Sequence, residues 1–527
     1  MGWSTEFASR LGGVRRDPVY RLIVHSGYGA TSYVSGQTPP GQPLTICSAE
    51  GYGATSFGPG SALQIGNAIR VDGSRVNPVS WSVSVGGFSV ELSGRIGSFR
   101  SHCPRGALCS LEMGFVGWDV SRFQRIALSR FRMCESEGYG VAVRHTAQFD
   151  GLGSFLQNRI AENWASGSLF HGAGGGSTLA ATYNGTAGSL QVASASEFER
   201  ETGATGVMKI TPASGDPDYY VKWTGVAGTT FTISPSTELF NTARVSAASG
   251  SAVTNVIYLS GHPIDLLLRI LISGNGSAAT HNKYPDSWGY RIPLDLIDIG
   301  DAEHWRDQLT TGSGYSWESL VSESQEDAWS WVSGYLAVDG IWPVLRQGQI
   351  TARYVQPIYA PVVRPTMEIT DSDLVGNWRL VDWDPDQPVE HAQLVISNRN
   401  GHTTSDTTES TLTADVMVET LPLKRRLEID VEDRVWDNAL GDAMRPAMTD
   451  RHKHTAFRVG ELLTLPLRLN FAQLCPGDLV TVSLPQILGR CLETMGGYVD
   501  QPCMVTGVSV DYGAGVATVT VHTHAEL

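Results

Sequence analysis

The sequence predicts a mainly β, multidomain protein with two barrel-like β-domains, an inserted small β-module and a central helical region. Short segments that alternate apolar and polar residues occur through most of the chain, as expected for half-buried strands. The 58 glycines supply turns between them, and helical spacing of apolar residues is confined mainly to a central stretch. At 527 residues, a prior of roughly 150 residues per domain gives three or four domains.

The first predicted domain, a β-barrel, covers residues 1–162. Its clearest strand pattern places Trp81, Val83 and Val85 in alternation with serines. Gly86-Gly87 interrupts this pattern, and alternation resumes from Phe88, which predicts a hairpin turn at the two glycines. Further strands are expected over residues 105–148, where the alternation continues.

Nearly the same seven residues occur twice in this domain, as GYGATSY from Gly27 and GYGATSF from Gly51. A pair of phosphate-binding loops would each need a following helix whose N-terminus faces the phosphate. Prolines 39, 40 and 43 follow the first copy, and Gly58-Pro59-Gly60 follows the second. Neither sequence favours a helix, so both copies are interpreted as loops between β-strands.

Residues 163–258 are rich in Gly, Ser, Thr and Ala and contain few charges, and runs such as GVMKITPA, YYVKWTG and TTFTIS are typical of strands. They predict a small inserted β-module with flexible borders. Such borders tolerate insertion and deletion, which favours a position on the outside of the protein.

The central helical and mixed region covers residues 259–355. Apolar residues from Ile264 to Ile272 follow helical spacing, and Pro263 stands in the first turn, where its missing N–H costs little. DAEHWRDQL and the stretch from Trp317 to Val338 are also predicted to be helical. In the second of these, a core-facing stripe is expected, made of Trp317, Leu320, Val321, Ala328, Trp331, Val332 and Tyr335.

The second predicted barrel covers residues 356–527. Strands are expected at HAQLVISNRN and DLVTVSLP, and a helix at DRVWDNALGDAMRPAM. At the C-terminal end, alternating valines precede and follow DYGAG. That pattern predicts a hairpin with a glycine-rich turn.

Charge and composition exclude several classes of function. The net charge of −15 argues against a surface that grips nucleic acid, because phosphate binding needs concentrated positive charge. The N-terminal residues lack the apolar core of a signal peptide, and the longest apolar runs are far shorter than a membrane span. The seven scattered cysteines form no C-x-x-C pair, which favours reduced cysteines packed as small apolar residues.

Three groups of residues are weighed as sites. Asp382, Asp384 and Asp386 imitate the start of a calcium loop, but Gln387 and Gln393 occupy the positions where an EF-hand needs Gly and Glu. His452 with His454, and His522 with His524, would each share one face of a strand but lack a recognisable third ligand. Lys424, Arg425 and Arg426 are interpreted as a solvated face or a contact with an acidic neighbour.

No nucleophile elbow of the form G-x-S-x-G and no H-E-x-x-H motif occurs in the sequence. The sequence therefore predicts no catalytic residue, no cofactor and no metal ligand.

The order of these parts resembles the baseplate hub, or tail-tip, proteins of tailed bacteriophages, above all those of long-tailed phages and gene-transfer particles. The first-barrel stretch LQIGNAIRVDGSRVNPVSWSVSVGGFSVELSG and the central GHPIDLLLRILIS with YPDSWGYRIPLDLIDIGDAEHWRD carry this likeness. ITDSDLVGNWRL, HAQLVISNRNG and LTLPLRLNFAQLCPGDLVTVSLPQILGR resemble the second barrel, with Pro476-Gly477-Asp478 as its turn. The run from Thr205 to Ser234 is similar to a small insertion of some hubs.

The resemblance implies a structural, non-enzymatic virion protein that forms a homotrimer, whose six barrels match the sixfold tail tube. It implies assembly in the host cytoplasm and a place at the tail tip. The implied partners are the distal tail or tube protein, the tape measure, and tail-fibre or tip proteins, with DNA present only in transit and no stable membrane insertion.

Two rival functions are kept. The 14 Trp and 17 Tyr suit a carbohydrate-binding tail adhesin, which would need exposed aromatic rings along a groove. A cell-wall-degrading glycoside hydrolase would need two carboxylates that face each other across a cleft.

Overall fold

The computed structural model describes most of the chain. The described residues are 3–13, 17–25, 44–52, 64–77, 82–94, 99, 103–139, 142–151, 176–196, 198, 206–234, 244–272, 292, 294–310, 317–321, 340–354, 366–381, 389–396, 408–413, 425–430, 460–487 and 497–524.

A closed barrel is formed by the N-terminal strands. The strands are β1 Pro18–Val24, β2 Leu44–Cys47, β3 Gln64–Asn77, β4 Ser82–Val85, β5 Phe88–Ser93, β6 Leu108–Phe115, β7 Gln124–Tyr139 and β8 Ala142–Asp150. The ring runs β3-β2-β1-β6-β7-β8-β5 and returns from β5 to β3, so these seven strands leave no open end. Gly51 and Tyr52, which begin the second GYGATS copy, lie in the turn that follows β2. The rest of that copy and the whole of the first copy lie outside the described residues.

The hairpin predicted at Gly86-Gly87 is wrong, although both of its strands exist. β4 and β5 do not pair with each other. They follow one another along β3, and each pairs with a different part of it. Asp72 N of β3 donates to Gly87 O at 2.9 Å, so the two glycines interrupt the strand between β4 and β5 without turning it back. A Cβ on Gly87 would lie 1.7 Å from the carbonyl oxygen of Phe149. Glycine is therefore needed here because the neighbouring backbone lies too close for a side chain. Close approach of two backbones is, besides turns, a second reason for glycine in a strand.

Helix α1, Thr5–Gly12, packs on this barrel. The Ser4 side chain accepts from Phe7 N at 3.2 Å and caps the helix. Phe7 and Leu11 lie four residues apart on one face and are both buried. The Phe7 ring lies 5.7 Å from that of Phe115, which fixes the helix on the barrel wall.

A second, smaller barrel follows. Its strands are β9 Gly176–Thr178, β10 Ser189–Gln191, β11 Gly206–Thr211, β12 Tyr219–Ala227, β13 Thr230–Ile233 and β14 Ala252–Gly261. They pair in the order β10-β13-β12-β11-β14-β9. A bridge between Leu179 and Val192 then joins the chain beyond β9 to the chain beyond β10 and closes the ring. The strands predicted at GVMKITPA, YYVKWTG and TTFTIS are confirmed.

The central region contains helices α2 Pro263–Ile272 and α3 Ile299–Thr310, and strands β15 Trp317–Val321, β16 Ile341–Arg346 and β17 Gln349–Tyr354. Both helices confirm the sequence prediction. The helix predicted from Trp317 is wrong in its first five residues, which form β15 and pair with the last five residues of β14. Pairing with an available strand edge overrides local helix preference here. The remainder of that prediction, from residue 322 to Val338, lies outside the described residues.

The C-terminal strands build a second barrel-like sheet. They are β18 Met367–Thr370, β19 Arg379–Val381, β23 Gly460–Arg468, β24 Leu479–Leu484, β25 Tyr498–Asp511 and β26 Val516–His524. The segment 367–381 pairs with β24 through β18 and with β23 through β19, so it links both edges of the sheet. β25 and β26 form the predicted hairpin around Tyr512–Gly515.

A separate three-stranded sheet holds β20 Val389–Ile396, β21 Thr408–Thr413 and β22 Arg425–Asp430. The strand predicted at HAQLVISNRN is thereby confirmed. The helix predicted at DRVWDNALGDAMRPAM lies outside the described residues.

The buried side chains show how these parts relate. One continuous apolar core extends from Phe7 in α1 to Val521 in β26 and fills both large barrels. The small barrel has a core of its own, from Leu179 to Val253. The mainly β fold with two barrel-like regions and central helices is thus confirmed. None of the described helices has the length and apolar character needed to cross a membrane.

Candidate functional site at the junction of the two barrels

The two large barrels are joined by direct strand pairing. β25 of the second barrel runs antiparallel to β3 of the first, with Asp511 opposite Arg70 and Gly507 opposite Arg75. The contact is close, because a Cβ on Gly73 would lie 2.0 Å from the carbonyl oxygen of Val508. We call this pairing of β3 with β25 the seam. It makes the two barrels parts of one continuous sheet.

A small cavity lies beside the seam. It is lined by backbone and side chains of both barrels, including Trp3, Phe88, Leu474 and Tyr512, and has a volume of about 50 Å³. A single water needs about 10 to 15 Å³ of such space, so the cavity has room for a few water molecules.

A buried cluster of charges connects the central region to the second barrel. Arg353 on β17 is 3% exposed, donates to both carboxylate oxygens of Asp301 at 3.1 and 3.2 Å, and also bonds Asp478. Thr351, two residues earlier on the same strand face, donates to Asp301 at 2.9 Å. Arg346 adds a bond to Asp301 at 2.7 Å. We call these residues the arginine cluster, and it ties α3, β17 and the second barrel together.

Each acidic member of the cluster is held by its own local structure. Asp301 lies in the first turn of α3, where a negative charge is favoured by the helix dipole. Asp478 ends the turn Pro476-Gly477-Asp478 and accepts from Cys475 N at 2.8 Å. The guanidinium carbon of Arg353 lies 5.4 Å from the Trp305 ring centroid, a cation–π contact. Burial works against the charge of Arg353, but its acidic neighbours outweigh burial and its pKa is raised.

The thiols of Cys475 and Cys503 in the second barrel have low reactivity. Burial raises the pKa of the Cys475 thiol to about 12, although nearby Arg353 works in the opposite direction. Burial likewise raises the pKa of Cys503 to about 12. A thiol must ionise to act as a nucleophile, so neither group suits nucleophilic chemistry at neutral pH. Both sit in the protein as small apolar residues.

The second barrel also buries a carboxyl group. Glu461 on β23 is 0% exposed and accepts a hydrogen bond from the Tyr498 hydroxyl at 2.7 Å. Its register partner on β26 is Thr523, which is also fully buried. A buried charge or polar group of this kind needs partners to be tolerated, and here the barrel interior supplies them. The pair fixes β23 against β25.

The sequence-predicted candidates that the structure describes, His522, His524, Arg425 and Arg426, lie on strands of two different sheets. His522 is fully buried in β26, and burial lowers its pKa to about 4, which keeps it neutral. His524 ends the same strand, and Arg425 and Arg426 begin β22. Asp382, Asp384, Asp386, Lys424, His452 and His454 lie outside the described residues. In the part of the chain that the structure describes, no group of three or more His, Cys, Asp or Glu could hold a metal ion.

The arginine cluster was missed from the sequence, although a signal for it exists. Along β17, Ile350 and Ala352 alternate with Thr351 and Arg353, and all four are buried. A polar stripe on a strand that is buried on both sides indicates a buried polar partner. The sequence does not reveal that partner, because Asp301 and Asp478 lie far from β17 along the chain.

No family model and no curated protein matches the chain. Solved structures do align with it. A tail protein from Neisseria meningitidis MC58 shares 11% identity over 96% of each chain, with a TM-score of 0.38. The 43 kDa tail protein of prophage MuSo2 from Shewanella oneidensis shares 9% identity over 87% of this chain and 97% of its own, with a TM-score of 0.39.

A chain from the virion of a native gene transfer agent shares 13% identity over 68% of this chain and 85% of its own, with a TM-score of 0.30. Two of these structures are tail proteins and the third is part of a gene-transfer-agent virion, the kind of assembly that the sequence resembles. At such identities and TM-scores below 0.5, the likeness carries no argument about the activity or partners of this chain.

Proposed function

We propose that this chain is the structural hub at the tail tip of a tailed phage or gene-transfer particle. The observation that carries the proposal is the seam, which holds two barrels of one chain in a fixed relation. Three such chains around an axis present six barrels, a number that suits a sixfold tube. The order of sequence parts that resembles hub proteins supports the same assignment.

In this role the homotrimer adapts and closes the end of the tail tube and forms part of the path for DNA at ejection. Its neighbours would be the distal tail or tube protein, the tape measure, and fibre or tip proteins. The chain would be assembled in the host cytoplasm and remain in the virion. A rigid two-barrel unit suits this task because a ring that carries load needs fixed angles between its parts.

The proposed division of the chain is 1–162 and 356–527 for the two hub barrels, 163–258 for the module and 259–355 for the central region. β14 crosses the border at 258, since its first half pairs with β9 and β11 and its second half with β15. We therefore place the functional end of the module at Val256. The arginine cluster would then hold the central region on the second barrel.

A non-enzymatic role is part of the proposal, and the rival functions have less support. Among the large hydrophobic side chains exposed in the described residues, Trp378 is the aromatic one, at 38% exposure. An adhesin would place several such rings along a groove. The carboxylates of Asp298 and Asp301 lie close together, but Arg346 contacts both. A hydrolase would instead leave two carboxylates facing a cleft.

The proposal is tested by two measurements on the intact protein. Light scattering of the purified chain should give three times the mass of the 56.8 kDa monomer. Imaging of the particle should place density for this chain in a ring at the tail tip. A chain found only as monomers or twofold dimers in both measurements would contradict the hub assignment.

Transit of DNA gives a second test. A lumen that lets DNA pass should present acid, because each neutralised phosphate would add salt-sensitive affinity. We expect negligible binding of labelled duplex near physiological salt, in line with the net charge of −15. Tight binding that weakens steeply with salt would instead reveal a basic surface, with Lys424, Arg425 and Arg426 as the first residues to replace.

A further inference from the structure

Two cysteines of the first barrel lie in sulfur–sulfur contact. The Sγ atoms of Cys103 and Cys109 are 3.8 Å apart, and both side chains are buried in the core that the large barrels share. A disulfide bond has a length of about 2.05 Å, so the two atoms need to approach by roughly 1.8 Å. The separation of 6 residues matches no familiar cysteine motif, so the contact becomes visible only in the fold.

A tight turn brings the two thiols together. Ala107 N donates to Pro104 O at 2.9 Å, and Gly106 has a φ of 84°, the left-handed value that a type II turn needs at its third residue. The chain therefore reverses its direction between the two cysteines. Arg105, the second residue of the turn, is exposed. The turn is thus open to solvent, although both thiols are buried.

The backbone holds the two cysteines with different firmness. Cys109 lies within β6, opposite Val24 of β1 and Ser129 of β7, so its movement would disturb strand pairing on both sides. Cys103 belongs to no described strand. Its N–H donates to Phe99 O at 2.8 Å, the bond of a single helical turn. Cys103 is therefore the partner that can move to close the remaining distance.

Burial sets the order in which the two thiols react. Burial, and next the contact with Cys103, raises the pKa of the Cys109 thiol well above its usual value. The thiolate is the reactive form in disulfide exchange, so Cys109 is a poor first nucleophile. Cys103 adjoins the exposed turn, and a small disulfide reaches it first when the turn opens. Burial of the finished bond then protects it from reduction, because exposed disulfides are the labile ones.

We propose that Cys103 and Cys109 form an intramolecular disulfide when the chain passes from a reducing to an oxidising compartment. The oxidant is a small-molecule disulfide such as oxidised glutathione. The Cys103 thiolate attacks one of its sulfurs, and the first glutathione leaves as a thiolate. The Cys109 thiolate then attacks the Cys103 sulfur of this mixed disulfide and releases the second glutathione. Two cysteines are oxidised, two glutathiones are reduced, and the two cysteine protons end on the glutathione thiols.

The change of compartment rests on the proposed function, since a virion protein is made in a reducing cytoplasm and released into an oxidising environment. The bond itself does not depend on the hub assignment. It closes the loop of residues 103–109 and ties the connection between β5 and β6 to the barrel wall. A cross-link stabilises a protein mainly by restricting its unfolded chain. The large barrels therefore gain resistance to unfolding once the protein has left the cell.

Peptide mapping tests the bond directly. The purified, folded chain is kept in glutathione buffers of increasing oxidised fraction until its composition is constant. Free thiols are then alkylated in denaturant, and the chain is digested with trypsin. Cleavage after Arg105 separates the two cysteines, so the disulfide leaves peptides 101–105 and 106–122 linked. We expect this linked pair in oxidising buffer and its complete loss after reduction.

Other buried thiols provide the controls. Cys475 and Cys503 lie in different apolar clusters and should be alkylated in every buffer. Cys103→Ser should abolish the linked peptides, whereas Cys475→Ala, the matched loss of a buried thiol, should keep them. In denaturant titrations, oxidation should lower the unfolding equilibrium constant of the wild type about tenfold or more. The same treatment should leave Cys103→Ser unchanged, and if that variant does not fold, the peptide map of the wild type decides alone.

Each outcome of the mapping decides the inference. Linked peptides 101–105 and 106–122 that appear with oxidation and vanish with reduction support it. Two alkylated cysteines at every glutathione ratio overturn it, as does a stable mixed disulfide with glutathione or a link to a different cysteine. None of these results depends on the mass of the assembly or its place in a particle. The hub proposal therefore stands or falls by its own measurements.

Discussion

The small barrel and the two large barrels differ in how their apolar side chains are buried. The small barrel closes on itself around a core drawn only from residues between Leu179 and Val253. The large barrels share a single core to which both ends of the chain contribute. The comparison teaches that strand number does not define a folding unit. The extent of the shared core does.

Chain connectivity explains this difference. In the small barrel, β11, β12 and β13 are consecutive strands that pair as neighbours, so most contacts are local. At the seam, β25 pairs with β3 across more than 400 residues of chain, as in the register of Val510 with Val71. Contacts of such separation form late and slowly in folding. We therefore expect the small barrel to fold first and alone, and the large barrels to fold together.

Disruption of the seam should have the largest effect. Gly73→Val forces a branched side chain into a space where even a Cβ would meet the Val508 carbonyl oxygen at 2.0 Å. We expect both large barrels to lose about 4 kcal/mol or more of unfolding free energy. The small barrel should keep its own unfolding transition. Chemical denaturation followed by hydrogen exchange of each region separates the two transitions.

The control for this change is Gly188→Ala, since a Cβ at Gly188 meets nothing within 4 Å. That variant should unfold like the wild type, within about 0.5 kcal/mol. If Gly73→Val destabilised one large barrel and left the other unchanged, the shared-core description would be wrong.

The arginine cluster should give the next largest effect. Arg353→Met removes the cation between Asp301 and Asp478. Within the described residues, Asp478 then has no ion-pair partner and Asp301 keeps only Arg346, which costs about 3 kcal/mol. The loss should be smaller at low pH. An unpartnered buried carboxyl has a raised pKa, so its protonated form is favoured in the folded state and stability is regained as pH falls. Denaturant titrations at several pH values measure both effects.

Arg306→Met is the matched control for that variant. Arg306 also contacts three carboxylates, those of Asp265, Glu303 and Asp307, but these partners are 32 to 66% exposed. Exposed ion pairs contribute about 0 to 1 kcal/mol. Equal losses in the two arginine variants would show that burial of the cluster contributes nothing to its strength.

The sequence predicted the secondary structure of single segments better than the pairing between segments. Period-two alternation identified β4 and β5, strand-like runs identified β11, β12 and β13 of the small barrel, and helical spacing identified α2, because these patterns depend on neighbouring residues. Alternation did not show which strand pairs with which. It therefore placed a hairpin at Gly86-Gly87, where both strands pair with β3.

The junction was missed for a related reason. The seam and the arginine cluster join residues that are far apart in sequence, such as Arg353 and Asp478. Pro476-Gly477-Asp478 was predicted to be a turn, but its sequence does not indicate that Asp478 bonds a buried arginine. In the same way, Trp317 was assigned to a helix because the strand edge of β14 that it joins lies elsewhere in the chain.

Acid should weaken the large barrels through His522. Burial lowers the pKa of His522 to about 4, from about 6.5 in the unfolded chain. The unfolded state therefore binds more protons between these values, and stability is complete above about pH 6.5 and falls as pH drops towards 4. Between pH 7 and pH 5 the loss should be about 2 kcal/mol. His522→Leu should remove this part of the pH dependence.

His262 supplies a comparison in the central region. Burial lowers its pKa to about 4 as well, with Asp265 acting in the opposite direction. The pH dependence that remains in His522→Leu should come largely from this residue. Met504→Leu, a neutral change opposite His522 in the sheet, serves as the control. An unchanged acid slope in His522→Leu would show that His522 is not the group that titrates.

Removal of the small barrel should have the smallest effect on the rest of the molecule. Gly176 stands opposite Thr254 on adjacent antiparallel strands, so the two ends of the barrel lie about 5 Å apart. Residues 176–254 can therefore be replaced by a short flexible linker. The large barrels should keep their unfolding free energy within about 1 kcal/mol, because their core contains no residue of the small barrel.

Deletion of β24, which pairs with both β18 and β25, is the contrasting control and should abolish folding of the large unit. If deletion of residues 176–254 also yielded insoluble protein, or protein without a cooperative transition, the small barrel would belong to the same folding unit as the large barrels. The contrast drawn between the small barrel and the large barrels would then be wrong.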